Sequence, residues 1–139
     1  MIQRKQTLWL LLSTVCSGLT FKFPFYSGTV APGVENVTGP ELSAVDNIPL
    51  IALTAVIVIL SAVTIFLFKD RRKQIQFSIL GLLMSIGLIA LYWSYTSSFA
   101  TGNIAITAIL TLFILIGFFF AISGIRKDQK LIKDLNRLR

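Results

Sequence analysis

The chain has 139 residues, 55% of them hydrophobic and only 14% charged, with a mean hydropathy of +0.79. Soluble domains carry about 25% charged residues, so a soluble globule of this size has no way to hide so much apolar surface, whereas lipid accepts an apolar helix face. Net charge is +7, one cysteine rules out an internal disulfide, and the absence of histidine removes the commonest metal ligand and general base.

In chain order, four apolar stretches dominate. The first, about 6–25, follows Arg4 and Lys5 and reads TLWLLLSTVCSGLTFKFPF after Gln6. Its apolar centre resembles a signal peptide, but no A-x-A site follows, and bulky Val15 precedes Cys16, so a retained helix is expected. The second, about 48–68, and the third, about 75–95, carry no charge in 21 residues each, and the fourth, about 103–125, none in 23. At about 1.5 Å per residue each is long enough for a hydrocarbon core of about 30 Å. Lipid-exposed backbone must pair internally, and these runs do not alternate as barrel strands do, so helix is the expected state. The expectation is an all-α membrane protein: one four-helix transmembrane domain over 1–139.

Local signals mark the boundaries. Asp46 or Asn47 can cap the second helix, with Pro49 in its first turn. Gly102-Asn103 opens the fourth segment, and Pro24 stands where the first should end. The long loop, about 26–47, contains Gly28, Pro32, Gly33, Gly39 and Pro40, which argue against a long regular element. It also holds the sequon triplet Asn36-Val37-Thr38.

The charges set an orientation. Twelve of the thirteen basic residues fall before the first segment, between the second and third, or after the fourth. Lys22 is the exception, and its ammonium is expected to snorkel to the headgroups. The loop opposite carries Glu35, Glu41 and Asp46. The positive-inside rule then places the N- and C-termini on the cytoplasmic side. Tyr26, Tyr92, Trp93 and Tyr95 sit at the expected outer interface and Trp9 near the inner one.

Past the fourth segment, RKDQKLIKDLNRLR has helical periodicity and predicts an amphipathic cytoplasmic helix over about 126–138. Leu131, Leu135 and Leu138 share one side, and Arg126, Lys130, Lys133 and Arg137 the other. Three readings compete: a helix on the inner leaflet, a helix folded against its own bundle, or a dock for a partner through the leucines. Asp128 and Asp134 are placed to pair with Arg4, Lys5 or the Arg71-Arg72 turn. Candidate contacts to anionic headgroups or a partner are Arg4, Lys5, Arg71, Arg72, Lys127, Lys130, Lys133 and Arg137. Candidate helix-packing positions are Gly81, Ser85, Gly117, Ala121 and Gly124, where small side chains allow close approach. Thr54, Ala55, Ser61 and Ala62 do the same on the second helix. A homo-oligomer seam is the alternative use of such faces.

The two ends of the chain, MIQRKQT and IRKDQKLI followed by LNRLR, together with the four apolar runs, resemble a family of small bacterial membrane proteins catalogued as domain of unknown function 4293. Gln129 and Asn136 depart from the acids the family usually carries there. The resemblance implies a bacterial inner-membrane location and an uncleaved N-terminus, and it implies no activity.

No catalytic, cofactor-binding or metal-binding constellation is legible, and no Asp, Glu, Arg or His lies within an apolar run. The expected function is non-enzymatic: an accessory, assembly or scaffold component using its basic cytoplasmic face, with the bilayer as first partner, a membrane protein or second copy as further partners, and no nucleic acid. The alternative is a small oligomeric transporter or channel for a neutral or lipid-like solute. A lipid-modifying enzyme would have to use Glu35, Glu41 and Asp46.

Overall fold

The computed structural model describes residues 3–33 and 39–138, with side chains from Lys5 onward. Glu35, the Asn36-Val37-Thr38 triplet, Arg139 and the Arg4 side chain lie outside the described residues. Four helices and three short strands follow in chain order: α1 (Gln3–Leu19), β1 (Tyr26–Val30), β2 (Glu41–Leu42), α2 (Ile48–Phe66), α3 (Arg71–Thr96), β3 (Phe99–Ile104), a 3-10 turn (Ile106–Ala108) and α4 (Ile109–Arg137).

Each helix buries a stripe that advances by four and three residues in turn. On α1 it runs Gln6, Leu10, Ser13, Ser17 and Thr20, the last just past the helix end. On α2 it runs Leu50, Thr54, Ile57, Ser61 and Thr64. On α3 it runs Gln74, Ser78, Gly81, Ser85, Leu88 and Tyr92. On α4 it runs Thr111, Ile114, Phe118, Ala121, Ile125 and Asp128. A seam repeating at about 3.5 residues keeps neighbouring helices in contact along their length, as in left-handed bundles. Many seam positions are Ser, Thr or Gly, which lets backbones approach where burial from lipid supplies little drive.

The large apolar side chains outside the seam are exposed, among them Ile59, Phe66, Leu83, Trp93, Leu112 and Phe119. On a soluble protein that surface would aggregate; against lipid it costs little. The chain is a multi-span helical membrane protein.

Among the described residues, three helical segments are long and apolar enough to cross a membrane: Ile48–Phe66, Arg71–Thr96 and Ile106–Arg137. The expected span at 6–25 is corrected. α1 has 17 residues and opens with Gln3, Arg4, Lys5 and Gln6, so its apolar part is 7–19, about 20 Å against a core of about 30 Å. After Leu19 the chain turns and enters β1, with Phe25 packed on Tyr92 rather than extending a helix. With three qualifying spans among the described residues, an odd number, the expectation of two cytoplasmic termini is not upheld.

The separate C-terminal helix is corrected too. α4 runs unbroken to Arg137, because no Gly or Pro follows Gly124 to interrupt it. The all-α expectation fails at the opposite end of the bundle. There β2, β1 and β3 form an antiparallel sheet in that order, pairing Tyr26 with both Leu42 and Ile104. Asn103, expected to open the fourth helix, lies in β3. Gly28 faces Gly102 across the sheet, and a Cβ on Gly28 would stand 2.1 Å from the Thr101 carbonyl oxygen. Phe25 and Tyr92 stack at 4.4 Å and tie the sheet to α3. Asn47 occupies the N-cap position of α2 without a side-chain capping bond, and Pro49 lies in the first turn. Asp46 instead accepts hydrogen bonds from the Ser43 amide and from its hydroxyl at 3.0 Å.

Candidate functional site: the basic end of the bundle

The seams of α1, α3 and α4 converge on a polar cluster at one end of the bundle. Asp128 extends the buried stripe of α4 one turn beyond Ile125 and is 5% exposed. Its Oδ2 accepts a hydrogen bond from Gln6 Nε2 on α1. The same oxygen lies 3.9 Å from an Arg71 guanidinium nitrogen at the start of α3. That places Asp128 with Arg71, one of the pairings the charge pattern suggested. Asp134 is exposed. Beside this cluster Gln74 Nε2 donates to the Thr64 carbonyl at 3.2 Å, joining α3 to α2. Three helices therefore meet at one buried carboxylate. Losing a partner of such a group is costly, because the remaining charge cannot be resolvated.

Close packing of α1 on α4 positions Gln6. Ser13 Oγ sits 3.2 Å from both the Trp9 and Ile114 carbonyls. A Cβ on Gly117 would stand 2.1 Å from Ser13 Oγ and 2.8 Å from the Trp9 carbonyl oxygen. At Gly124 the nearest atom would be the Gln6 side chain at 2.8 Å. Trp9 stacks on Phe120 at 4.7 Å. On the neighbouring seam the Phe118 ring fills the space a Gly81 Cβ would need, at 2.4 Å. Ala121 is fully buried, and Ser85 donates to the Leu82 carbonyl at 2.7 Å.

Outside this cluster lies a groove of about 590 Å³, formed by Arg71 and Arg72 from α3 and by Gln129, Ile132, Lys133, Asn136 and Arg137 from α4. The α4 positions recur at three and four residues, so they share one face. Leu131, Leu135 and Leu138 lie on the other side of the helix, all exposed. Four of the eight candidate contact residues thus line one groove: Arg71, Arg72, Lys133 and Arg137. Lys5, Lys127 and Lys130 are exposed and do not line it. No acidic residue among the described ones lines it. The Arg71 nitrogen that faces Asp128 is buried without a hydrogen-bond acceptor, and the other Asp128 oxygen is buried without a donor. Next to the groove, Lys69, Asp70 and Lys73 complete a basic turn in which Lys73 and Asp70 approach to 3.6 Å.

Gln6 and Gln74 have the strongest positional roles that sequence reasoning missed. The available signal was the four-three spacing, which puts Gln6 in line with Leu10 and Ser13, and Gln74 in line with Ser78 and Gly81.

Elsewhere the interior hydroxyls bond mainly to helix carbonyls. Thr14 donates to Leu10 and to Ser61 Oγ, both at 2.9 Å, Ser78 to Gln74 at 2.8 Å and Thr111 to Ala108 at 2.6 Å. Bonding to the preceding helical turn occupies these groups structurally. Among the described residues no cluster of three metal-ligating side chains occurs. At the sheet end, a second recess of about 770 Å³ lies among Tyr26, Trp93, Ser97 and Asn103 and has no charged lining.

No curated protein and no solved structure matches the chain. The family model described as Domain of unknown function (DUF4293) matches residues 2–138. With the match covering nearly its whole length, the chain belongs to that family.

Proposed function

We propose that this protein is a non-enzymatic membrane component, an accessory, assembly or scaffold protein, that acts through the basic end of its bundle. The observation supporting this reading is the groove: two helices distant in sequence bring Arg71, Arg72, Lys133 and Arg137 together with no acid among them. Like charges at such a surface repel, and a scaffold that holds them together opposes its own electrostatics. The buried Gln6–Asp128–Arg71 cluster supplies the holding force. Among the described residues no cluster of three metal-ligating side chains stands beside it.

The test is affinity purification from gently solubilised membranes, comparing the native chain with Lys133→Glu/Arg137→Glu. Both side chains are exposed, so the variant is expected to melt within a few degrees of the native protein. A partner held by the native chain and lost from the variant is the expected result. Equal recovery from both, or recovery of the protein alone, would contradict the reading.

A further inference from the structure

We propose that the groove between the start of α3 and the end of α4 is a discrete phosphate site, taking the phosphate of an anionic membrane lipid. This rests on the reading of the basic end as the working surface, and it names what that surface holds. Three observations carry it.

The first is the donor set. Arg71, Arg72 and Arg137 bring guanidinium forks and Lys133 an ammonium, with the Gln129 and Asn136 amides between them. Guanidinium matches the geometry of phosphate oxygens and binds them through paired charge-assisted bonds. Arg71 and Arg72 also open α3, whose N-cap Asp70 makes no side-chain capping bond. The uncapped N–H groups and helix dipole there add positive potential beside the groove. The helix end alone would not define a site; the four convergent cations do.

The second is the fixed position of one donor. Asp128 contacts Arg71 from inside the bundle, and Gln6 holds Asp128 in turn. The Arg71 nitrogen that faces Asp128 is buried, so the side chain is anchored on its inner side while it lines the groove. A guanidinium has further N–H donors beyond that nitrogen, and a phosphate oxygen in the groove is an acceptor of matching charge.

The third is depth. The apolar part of α4 ends at Ile125, and the groove residues begin four positions later at Gln129, about 6 Å further along the axis. That is where headgroups meet the hydrocarbon boundary. Leu131, Leu135 and Leu138 lie on the opposite side of α4 and are exposed. Ile132 supplies an apolar wall within the groove itself.

The experiment uses the full chain in phosphatidylcholine nanodiscs. In one arm phosphatidylglycerol is doped in, and lipid retained after release is read by native mass spectrometry. In the other, inorganic phosphate or pyrophosphate is added to undoped discs and thermal stabilisation is read. Arg72→Gln/Lys133→Gln is compared with Lys127→Gln/Lys130→Gln, which removes the same charge outside the groove. Retained phosphatidylglycerol should fall by about tenfold or more in the groove variant, the size expected for losing charge-assisted bonds, and by less than about twofold in the control. Binding in the lipid arm assigns a headgroup. Binding confined to the soluble arm, with the same dependence on the groove variant, keeps the phosphate chemistry and moves its source to free phosphate. Equal loss in the two variants, or no binding in either arm, overturns the site. These readouts need no protein partner, so a scaffold reading that fails by purification leaves them interpretable.

Discussion

Replacing Asp128 with alanine is expected to lower stability by about 3 kcal/mol, the lower end for breaking a buried charge pair. The lower end applies because Arg71 keeps partial solvent access, at 23% exposure, and stands 3.9 Å away. The loss would leave Gln6 without its acceptor and Arg71 beside Arg72 and Lys133 without a counter-charge. A thermal melt in detergent should drop by about 10 °C. Asp128→Asn retains an acceptor for Gln6 and should lose about a third of that. A double-mutant cycle with Gln6→Leu should show coupling of about 1–2 kcal/mol. Additive single effects would mean that Gln6 and Asp128 do not act together.

Gly117→Ala is the second large effect. The new methyl would meet Ser13 Oγ at 2.1 Å and the Trp9 carbonyl at 2.8 Å. A backbone oxygen cannot rotate away, so α1 must move off α4. Overpacking of this kind costs about 2–3 kcal/mol. Cys16 is buried on the α1 seam at 4% exposure, and its reaction with maleimide should accelerate as α1 loosens. Ser13→Ala should relieve part of the cost by removing the nearer atom. Gly87→Ala is the control, because its closest neighbour would be Leu53 at an ordinary 3.9 Å. There the better helix propensity of alanine should leave stability unchanged or raise it by about 0.5–1 kcal/mol.

The membrane character and the middle two helices were legible because lipid imposes a length and polarity rule that a linear chain displays directly. Of the small residues that repeat at four and three on α3 and α4, Gly81, Ser85, Gly117 and Ala121 lie at buried positions and Gly124 is half-buried. The same repeat could have been followed past Ile125 to Asp128 and back to Gln6. The sequence places Gln6 at the head of the first run and Asp128 in the tail beyond the fourth, and nothing in one dimension brings the two together. The failures share one cause: composition does not report where the backbone changes direction. Residues 20–25 keep three phenylalanines around Lys22 and Pro24, so the apolar run reads on past Leu19, yet Phe25 packs on Tyr92 as the chain enters a strand. Phe99–Ile104 contains Gly102-Asn103, a turn-like pair, and becomes a strand by pairing with Tyr26–Val30. At Arg126 the composition changes sharply while the helix continues. The groove was legible only as a list of basic residues. Selecting Arg71, Arg72, Lys133 and Arg137 from eight candidates requires knowing that the start of α3 lies beside the end of α4.

α1 seats on α4 so that Gln6 reaches Asp128 and closes the basic end. Disulfide crosslinking in a Cys16→Ser background tests it most directly. Gln6→Cys/Gly124→Cys should crosslink readily, because a Cβ at 124 lies 2.8 Å from the Gln6 side chain. Leu11→Cys/Gly124→Cys should not, because Leu11 is half exposed on the outer side of α1. A crosslink at 6–124 and none at 11–124 is the predicted result. The reverse pattern, or no crosslink at 6–124, would contradict the account.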